Sequence, residues 1–153
     1  MIPKHAWLLA VLVLLPNVGG WIGALTFDLD WYNSLNKAPI NPPSWLFAPM
    51  WTFLYSLIGI ASFLVWTKEG ADAVVPLLLY AVQLGLNWAW TPIFFHYHKI
   101  LWALVEIGAT DVLVVLTIIA FIRVRVLAGI LLLPYITWLS IATYLNLYIY
   151  QHN

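Results

Sequence analysis

The stretch WYNSLNKAPINPPSWLFAPMWTFLY, residues 31–55, decides how this chain is organised. It contains the longest connection between apolar segments, and three prolines stand in it just before an apolar run that begins at Ser44. Proline fixes φ and lacks a backbone N–H, so we expect a stiff, non-helical linker with Ser44 as the N-cap of the next helix. A linker this aromatic should pack against something. We predict that residues 27–44 form a lid over a pocket for a rigid hydrophobic ligand.

The bulk composition describes a membrane protein. Of the 153 residues, 64% are hydrophobic and only 8% are charged, whereas a soluble domain carries about 25% charged residues. Six basic and six acidic side chains cancel, so nothing favours an electrostatic partner such as nucleic acid. Cysteine is absent, which excludes disulfides, Fe–S clusters and thiol catalysis.

Five apolar runs each approach or exceed the roughly 20 residues that a helix needs to cross a bilayer. Helices are expected because open strands would leave unpaired backbone groups in lipid. The predicted fold is an all-α integral membrane protein, a five-helix transmembrane bundle that occupies residues 1–153 as one domain with a long structured first loop. The predicted spans are residues 6–26, 45–66, 74–95, 100–122 and 126–150.

The basic residues give a mild orientation signal. An odd number of spans puts the two termini on opposite sides, with Lys4, Lys68, Arg123 and Arg125 on the N-terminal side and Lys37 and Lys99 on the other. Under the positive-inside rule this bias places the N-terminus in the cytoplasm.

The third span has two informative faces. Small residues repeat every four positions on one face: Ala81, Gly85 and Ala89. Such a strip favours close contact with another helix, either a neighbour or a second copy of the chain. Another stripe, pointing the opposite way, contains Gln83, Asn87, Trp90 and Phe94. We expect this second stripe to face the bundle interior.

Aromatic and polar residues converge in the half of the bundle next to the lid. Span direction places there Ala24, Trp51, Asn87, Trp90, Trp102, Glu106 and Asn146, with Trp138 deeper. Broad indole rings with a few amides suit a rigid polycyclic ligand. Tryptophans packed simply as core are the alternative, and composition alone leaves the two interpretations equal.

Three titratable features need separate interpretation. Glu106 and Asp111 lie within the fourth span, where carboxylates are costly and usually face the interior. For Glu106, structural hydrogen bonding is favoured over a ligand or proton role. His96 and His98 form a His-x-His pair, but alternate helical residues diverge and no carboxylate or thiol cluster accompanies them. We therefore predict no metal site.

Three strings carry a resemblance to a known family: residues 31–55, QLGLNWAWTPIFF (83–95) and LPYITWLSIATYLNLYIY (133–150). Together they are similar, in order and spacing, to the translocator protein family (TspO/MBR), the tryptophan-rich sensory proteins also called peripheral-type benzodiazepine receptors. The resemblance implies a five-helix bundle, usually dimeric, that requires no cofactor. It also implies a receptor or carrier for porphyrins such as protoporphyrin IX, cholesterol and benzodiazepine or isoquinoline compounds, in a pocket closed by the first loop.

The resemblance also assigns residues. By motif, the pocket contains Ala24, Phe47, Ala48, Trp51, Trp90, Trp102, Trp138, Ala142, Leu145 and Asn146, to which the spacing argument adds Asn87 and Glu106. The strip on the third span corresponds to the family's dimer surface. Light- or oxygen-dependent porphyrin degradation through Trp51 and Trp138 is an alternative function, and a purely structural oligomer is a third.

Two departures from the family pattern stand out. The sterol-recognition motif needs Lys or Arg after its tyrosine, whereas Gln151, His152 and Asn153 follow Tyr150 here, so sterol binding is less expected. Asp111 stands where relatives tend to be uncharged. The string NWAWTPIFF is closer to animal members, which favours a mitochondrial outer membrane over a bacterial plasma membrane.

Overall fold

Five helical segments are long and apolar enough to cross a membrane. They are Ala6–Ala24, Ser44–Trp66, Val74–His96, Ile100–Val124 and Val126–His152. The computed structural model describes residues 5–68 and 71–153, and no strand occurs within them. The predicted all-α, five-span architecture is confirmed. Lys4, which the charge-bias argument counted, lies outside the described residues.

The helices, numbered in chain order, are α1 (Ala6–Ala24), α2 (Leu29–Ser34), α3 (Ser44–Trp66), α4 (Val74–Thr91), α5 (Ile100–Val124), α6 (Val126–Ile130) and α7 (Leu133–His152). A 3₁₀ turn at Ala71–Ala73 precedes α4, and a π-helical turn at Pro92–His96 follows it. Predicted and observed span ends differ by a few residues at most.

The fifth span is broken, where the sequence predicted one continuous helix over residues 126–150. It consists of α6 and α7, separated by a turn at Leu131 and Leu132. Pro134 lies in the first turn of α7, where its missing N–H would have no intrahelical partner in any case. Leu132 is fully buried, so the turn packs inside the bundle.

The lid loop, residues 27–44, corrects two further expectations. Its first part is helical, because α2 forms ahead of the prolines and Asp28 caps it by accepting a hydrogen bond from the backbone N–H of Trp31 at 2.9 Å. Ser44 is not an N-cap: extended Pro43 occupies that position, and Ser44 is the first helical residue of α3. The prolines therefore exclude a helix only from the second part of the loop.

The half of the bundle remote from the lid is solidly packed, and we call it the closed half. Its core side chains are fully buried and apolar: Ile58, Ala61, Val65, Val114, Phe121, Ala128 and Leu132. Here α1 crosses α3 so closely that a Cβ added to Gly59 would collide with the backbone of Leu12 and Val13. This crossing fixes how α3 is rotated toward the bundle.

The outer surface is apolar, as lipid contact requires. Large exposed side chains include Trp7, Trp21, Trp45, Leu78 and Val112. The small-residue strip of α4 is part of this surface: Ala81 and Gly85 are exposed, and no heavy atom lies within 4 Å of a Cβ placed on Gly85.

Candidate ligand-binding pocket

A cavity of about 330 Å³ lies beneath the lid loop, enclosed by α1, α3, α4, α5 and α7. Ligand pockets in proteins commonly measure about 300–1,000 Å³, so the cavity is at the small end of that range. We call the half of the bundle that contains it the open half. Most of the wall is hydrocarbon and aromatic, with a few amide, hydroxyl and carboxyl groups among them.

Most of the predicted ligand-binding residues line this one cavity. They are Ala24, Phe47, Ala48, Trp51, Asn87, Trp90, Glu106, Ala142, Leu145 and Asn146. These residues come from five different helices. Span direction had predicted six of them in this half of the bundle, and the resemblance had added Phe47, Ala48, Ala142 and Leu145. The structure brings them together around one space; ligand binding by them stays a prediction.

Two predicted residues do not line the cavity. Trp102 is 67% exposed on the outside of α5, because the next residue, Ala103, is fully buried and successive helical residues point about 100° apart. Trp138 is 8% exposed and packs edge-on against Phe47, with ring centroids 5.7 Å apart. Trp138 therefore supports the wall from behind.

The lid loop itself contributes residues to the cavity wall that were not predicted from the sequence. Tyr32, Asn33 and Asn41 of the lid loop line the cavity, as do Tyr55 of α3 and Thr110 of α5. For Tyr55 a signal existed, since it is four residues from Trp51 and shares its face. For the lid residues no periodic pattern could have given their direction.

Hydrogen bonds between helices hold the polar part of the wall. The Trp90 indole N–H donates to Oδ1 of Asn146 at 3.0 Å, and Nδ2 of Asn146 donates to the carbonyl of Ile100 at 3.1 Å. The Tyr55 hydroxyl donates to Oδ1 of Asn87. These bonds tie α4 to α7, α7 to α5 and α3 to α4, so the amides are committed to structure.

The two carboxyl groups of α5 have different surroundings. Glu106 lines the cavity and accepts a hydrogen bond at Oε1 from Thr110 Oγ1 at 2.8 Å. Asp111 accepts at Oδ2 from Thr143 Oγ1 at 2.7 Å, which links α5 to α7 away from the cavity. Asp111 thus has a structural role. The second oxygen of each carboxyl group is buried and has no hydrogen-bond partner in the described part of the chain.

Aromatic rings form the flat walls. Trp51 lies 5.3 Å from Tyr55 and 6.3 Å from Tyr135, measured between ring centroids. Trp90 stacks on Phe94 at 4.9 Å. The cavity wall thus contains the planar rings of Trp51, Tyr55, Trp90 and Phe94, whereas Tyr135 packs against Trp51 without lining the cavity.

The first part of the lid is held by the turn after α4. The Phe27 and Phe95 rings lie 4.3 Å apart, and Trp31 stacks on His98 at 4.1 Å. Nε2 of His98 is 3.2 Å from Oδ2 of Asp28. His98 has a φ of 54°, a left-handed conformation that lets the short connection to α5 turn sharply.

The second part of the lid is held by the end of α7. The backbone N–H of Asn36 donates to Oδ1 of Asn153 at 2.9 Å, and Nδ2 of Asn153 returns a bond to the Asn36 carbonyl at 3.1 Å. Nδ2 of Asn36 also donates to the His152 carbonyl at 3.0 Å. The lid is therefore attached at two separate places.

Within the lid, local contacts stiffen α2. Nζ of Lys37 donates to the carbonyls of Tyr32 at 2.8 Å and Leu35 at 3.2 Å, where the last carbonyls of a helix lack intrahelical partners. Burial raises the pKa of the Tyr32 phenol. The lid thus has its own stable shape above the cavity.

Comparison with known proteins identifies the family. The TspO/MBR family model matches residues 12–151. A translocator protein of Bos taurus is 44% identical, covering 96% of this chain and 91% of the relative. A tryptophan-rich protein TspO of Chlorobaculum tepidum is 42% identical over 80% of this chain and 79% of its own length. A tryptophan-rich sensory protein of Cereibacter sphaeroides is 40% identical over 81% and 77%. The chain therefore belongs to the TspO/MBR family and is an integral, multi-pass membrane protein.

Proposed function

We propose that this protein is a membrane receptor or carrier that binds a rigid, polycyclic hydrophobic molecule, a porphyrin in the first instance, in the cavity of the open half. The observation that carries the proposal is the cavity itself: a space of about 330 Å³, walled by Trp51 and Trp90 and roofed by the lid loop. A bundle packed solely for stability would fill this volume, because protein interiors are close-packed.

The chemistry of the wall selects the ligand class. The indole and phenyl rings offer flat apolar contact, and several polar groups there already bond to each other, as Trp90 does to Asn146. A hydrophilic solute would lose its hydration without compensation. A flat apolar molecule loses little favourable hydration when it enters the cavity.

The relatives' names support a role in moving or sensing a molecule. They are called translocator proteins in animals and tryptophan-rich sensory proteins in bacteria, names that denote movement and sensing. Cholesterol is a weaker candidate than a porphyrin here, because no Lys or Arg follows Tyr150.

Titration with protoporphyrin IX tests the proposal. We expect saturable binding to the purified protein in lipid nanodiscs, followed by quenching of tryptophan fluorescence. Ala142→Phe, which puts a ring into the cavity, should abolish it. The matched control is Ala109→Phe, on the exposed face of α5, which should bind as the parent does. Non-saturable uptake, or equal binding by both variants, would contradict the proposal.

Porphyrin degradation is the second candidate, favoured by the position of Trp51 on the cavity wall. On illumination, the excited macrocycle would take an electron directly from this indole, and dissolved O₂ would be the oxidant that breaks the ring. Trp138 would act only through Phe47. Illumination in air should then bleach the Soret band, and Trp51→Phe should slow bleaching more than Trp138→Phe. A Soret band that persists in light while binding is retained favours the receptor or carrier function.

The exposed strip of α4 is proposed as the contact in a homodimer. Ala81, Gly85 and Ala89 would let two backbones approach closely. Light scattering on the detergent-solubilised protein should give a dimer, and Gly85→Leu should convert it to a monomer. A parent protein that is monomeric in nanodiscs as well would contradict the dimer.

A further inference from the structure

We infer that Glu106 makes the cavity select, among flat apolar molecules, those that carry a basic or N–H-donating nitrogen. The inference rests on the proposed function, since it assigns a chemical preference to the same cavity. It is motivated by one group: Glu106 is an acidic side chain on the wall, and no described lining residue is Lys, Arg or His.

The carboxyl group of Glu106 uses only part of its hydrogen-bonding capacity within the described residues. Thr110 donates to Oε1, while Oε2 is buried and has no partner in the described part of the chain. A carboxylate offers roughly four lone-pair positions, so one bond leaves most of its accepting capacity unused. If the carboxyl group is instead protonated at Oε2, no described residue accepts a hydrogen bond from its O–H. In either state the side chain needs a partner from outside the described residues.

None of the neighbouring polar groups that the structure describes donates a hydrogen bond to Oε2. The Tyr55 hydroxyl donates to Asn87, and the Trp90 indole N–H donates to Asn146. Nδ2 of Asn146 is bonded to the Ile100 carbonyl. The hydroxyl of Tyr55, the indole N–H of Trp90 and the Asn146 amide are thus bonded elsewhere and not to Oε2.

A ligand nitrogen is chemically suited to pair with Oε2 of Glu106. An N–H or ammonium group bonded to a carboxylate makes a charge-assisted hydrogen bond, which is stronger than a neutral one and strongest where water is excluded. The terminal torsion of a glutamate is broad, so a small rotation turns either oxygen toward the cavity. A ligand carboxylate at the same place would be repelled.

Three anthracenes of the same ring size provide the test: 9-(aminomethyl)anthracene, 9-methylanthracene and 9-anthracenecarboxylate. Binding is followed by ligand fluorescence in neutral phosphatidylcholine nanodiscs, with empty nanodiscs subtracted. We expect the parent protein to bind the amine about ten-fold or more tightly than the methyl compound, and the carboxylate most weakly. Glu106→Gln should bind all three within about two-fold of one another.

Asp111→Asn is the matched control, because it removes the other carboxyl charge of α5 away from the cavity and keeps an acceptor for Thr143. It should retain the parent ranking. Equal binding of amine and methyl compounds by the parent, or a preference that survives Glu106→Gln, overturns the inference while leaving the pocket intact. If Glu106→Gln does not fold, the parent ranking alone decides. Saturable binding of none of the three overturns the proposed function and the inference together.

Discussion

The two halves of the bundle differ in packing: the closed half has a filled core, and the open half contains the cavity. In the closed half, aliphatic side chains such as Ile58 and Val114 leave no exposed surface, and α1 and α3 touch at Gly59. In the open half, the same helices α3 and α5 line a cavity through residues such as Trp51 and Glu106. The tightly packed core and the cavity therefore occupy separate parts of the bundle. The closed half holds the helices, and the open half can keep an unfilled space because of it.

Breaking the closed half should have the largest effect. In Gly59→Val the new side chain would meet the backbone of Leu12 and Val13, and backbone cannot rotate away as a side chain can. We expect a loss of about 3 kcal/mol in the free energy of unfolding, measured by unfolding in mixed detergent. Gly108→Val, where nothing lies within 4 Å of the added Cβ, should change it by less than about 0.5 kcal/mol. Equal losses in the two variants would mean that the crossing at Gly59 is not close.

Substitutions in the open half should be seen first in ligand binding. Trp51→Ala removes a cavity wall, and we expect protoporphyrin IX affinity to fall by about 2 kcal/mol, or roughly 30-fold. Trp102→Ala removes a ring that is 67% exposed on the outside of α5, and should leave the affinity within about two-fold. Porphyrin fluorescence is the readout, since both variants lose an indole. A larger loss in Trp102→Ala would reverse the assignment of the two tryptophans.

The roof of the open half should control how long a ligand stays. Asn153→Ala removes two hydrogen bonds between the lid and α7. Exposed bonds of this kind contribute about 1 kcal/mol together, so ligand dissociation should become about five-fold faster in stopped-flow measurements. Gln151→Ala, an exposed neighbour on α7, is the control. An unchanged dissociation rate in Asn153→Ala would show that the lid does not limit ligand exit.

The smallest expected effect is a pH response of the roof. Burial raises the pKa of Tyr32, so the neutral form of the phenol stabilises the lid loop in its position over the cavity. That contribution is complete below the ordinary tyrosine pKa of about 10, and is lost as pH rises through the raised value. Ligand dissociation should therefore accelerate at high pH, and Tyr32→Phe should lessen this acceleration. If the parent protein and Tyr32→Phe have identical pH profiles, the acceleration at high pH comes from other groups.

The pattern of the sequence was sufficient for the architecture and for the depth of the site. Long apolar runs exclude a soluble fold, and span direction placed Asn87, Glu106 and Asn146 in the same half. The lid was also expected from residues 27–44. The helix α2 inside the lid was not expected, because the prolines restrict the backbone only at and next to their own positions, and α2 precedes them. The break before α7 was likewise hidden in an unbroken apolar run.

The amino-acid pattern alone gives the membrane as solvent, the five helices and the half in which polar and aromatic side chains gather. The folded structure was needed to show that Trp51 faces the cavity, that Trp102 faces outward and that Trp138 packs against Phe47 without lining the cavity. The physical reason is that helical periodicity gives angles between residues on one helix. The rotation of each helix about its own axis depends on its neighbours, here through close crossings such as the one at Gly59.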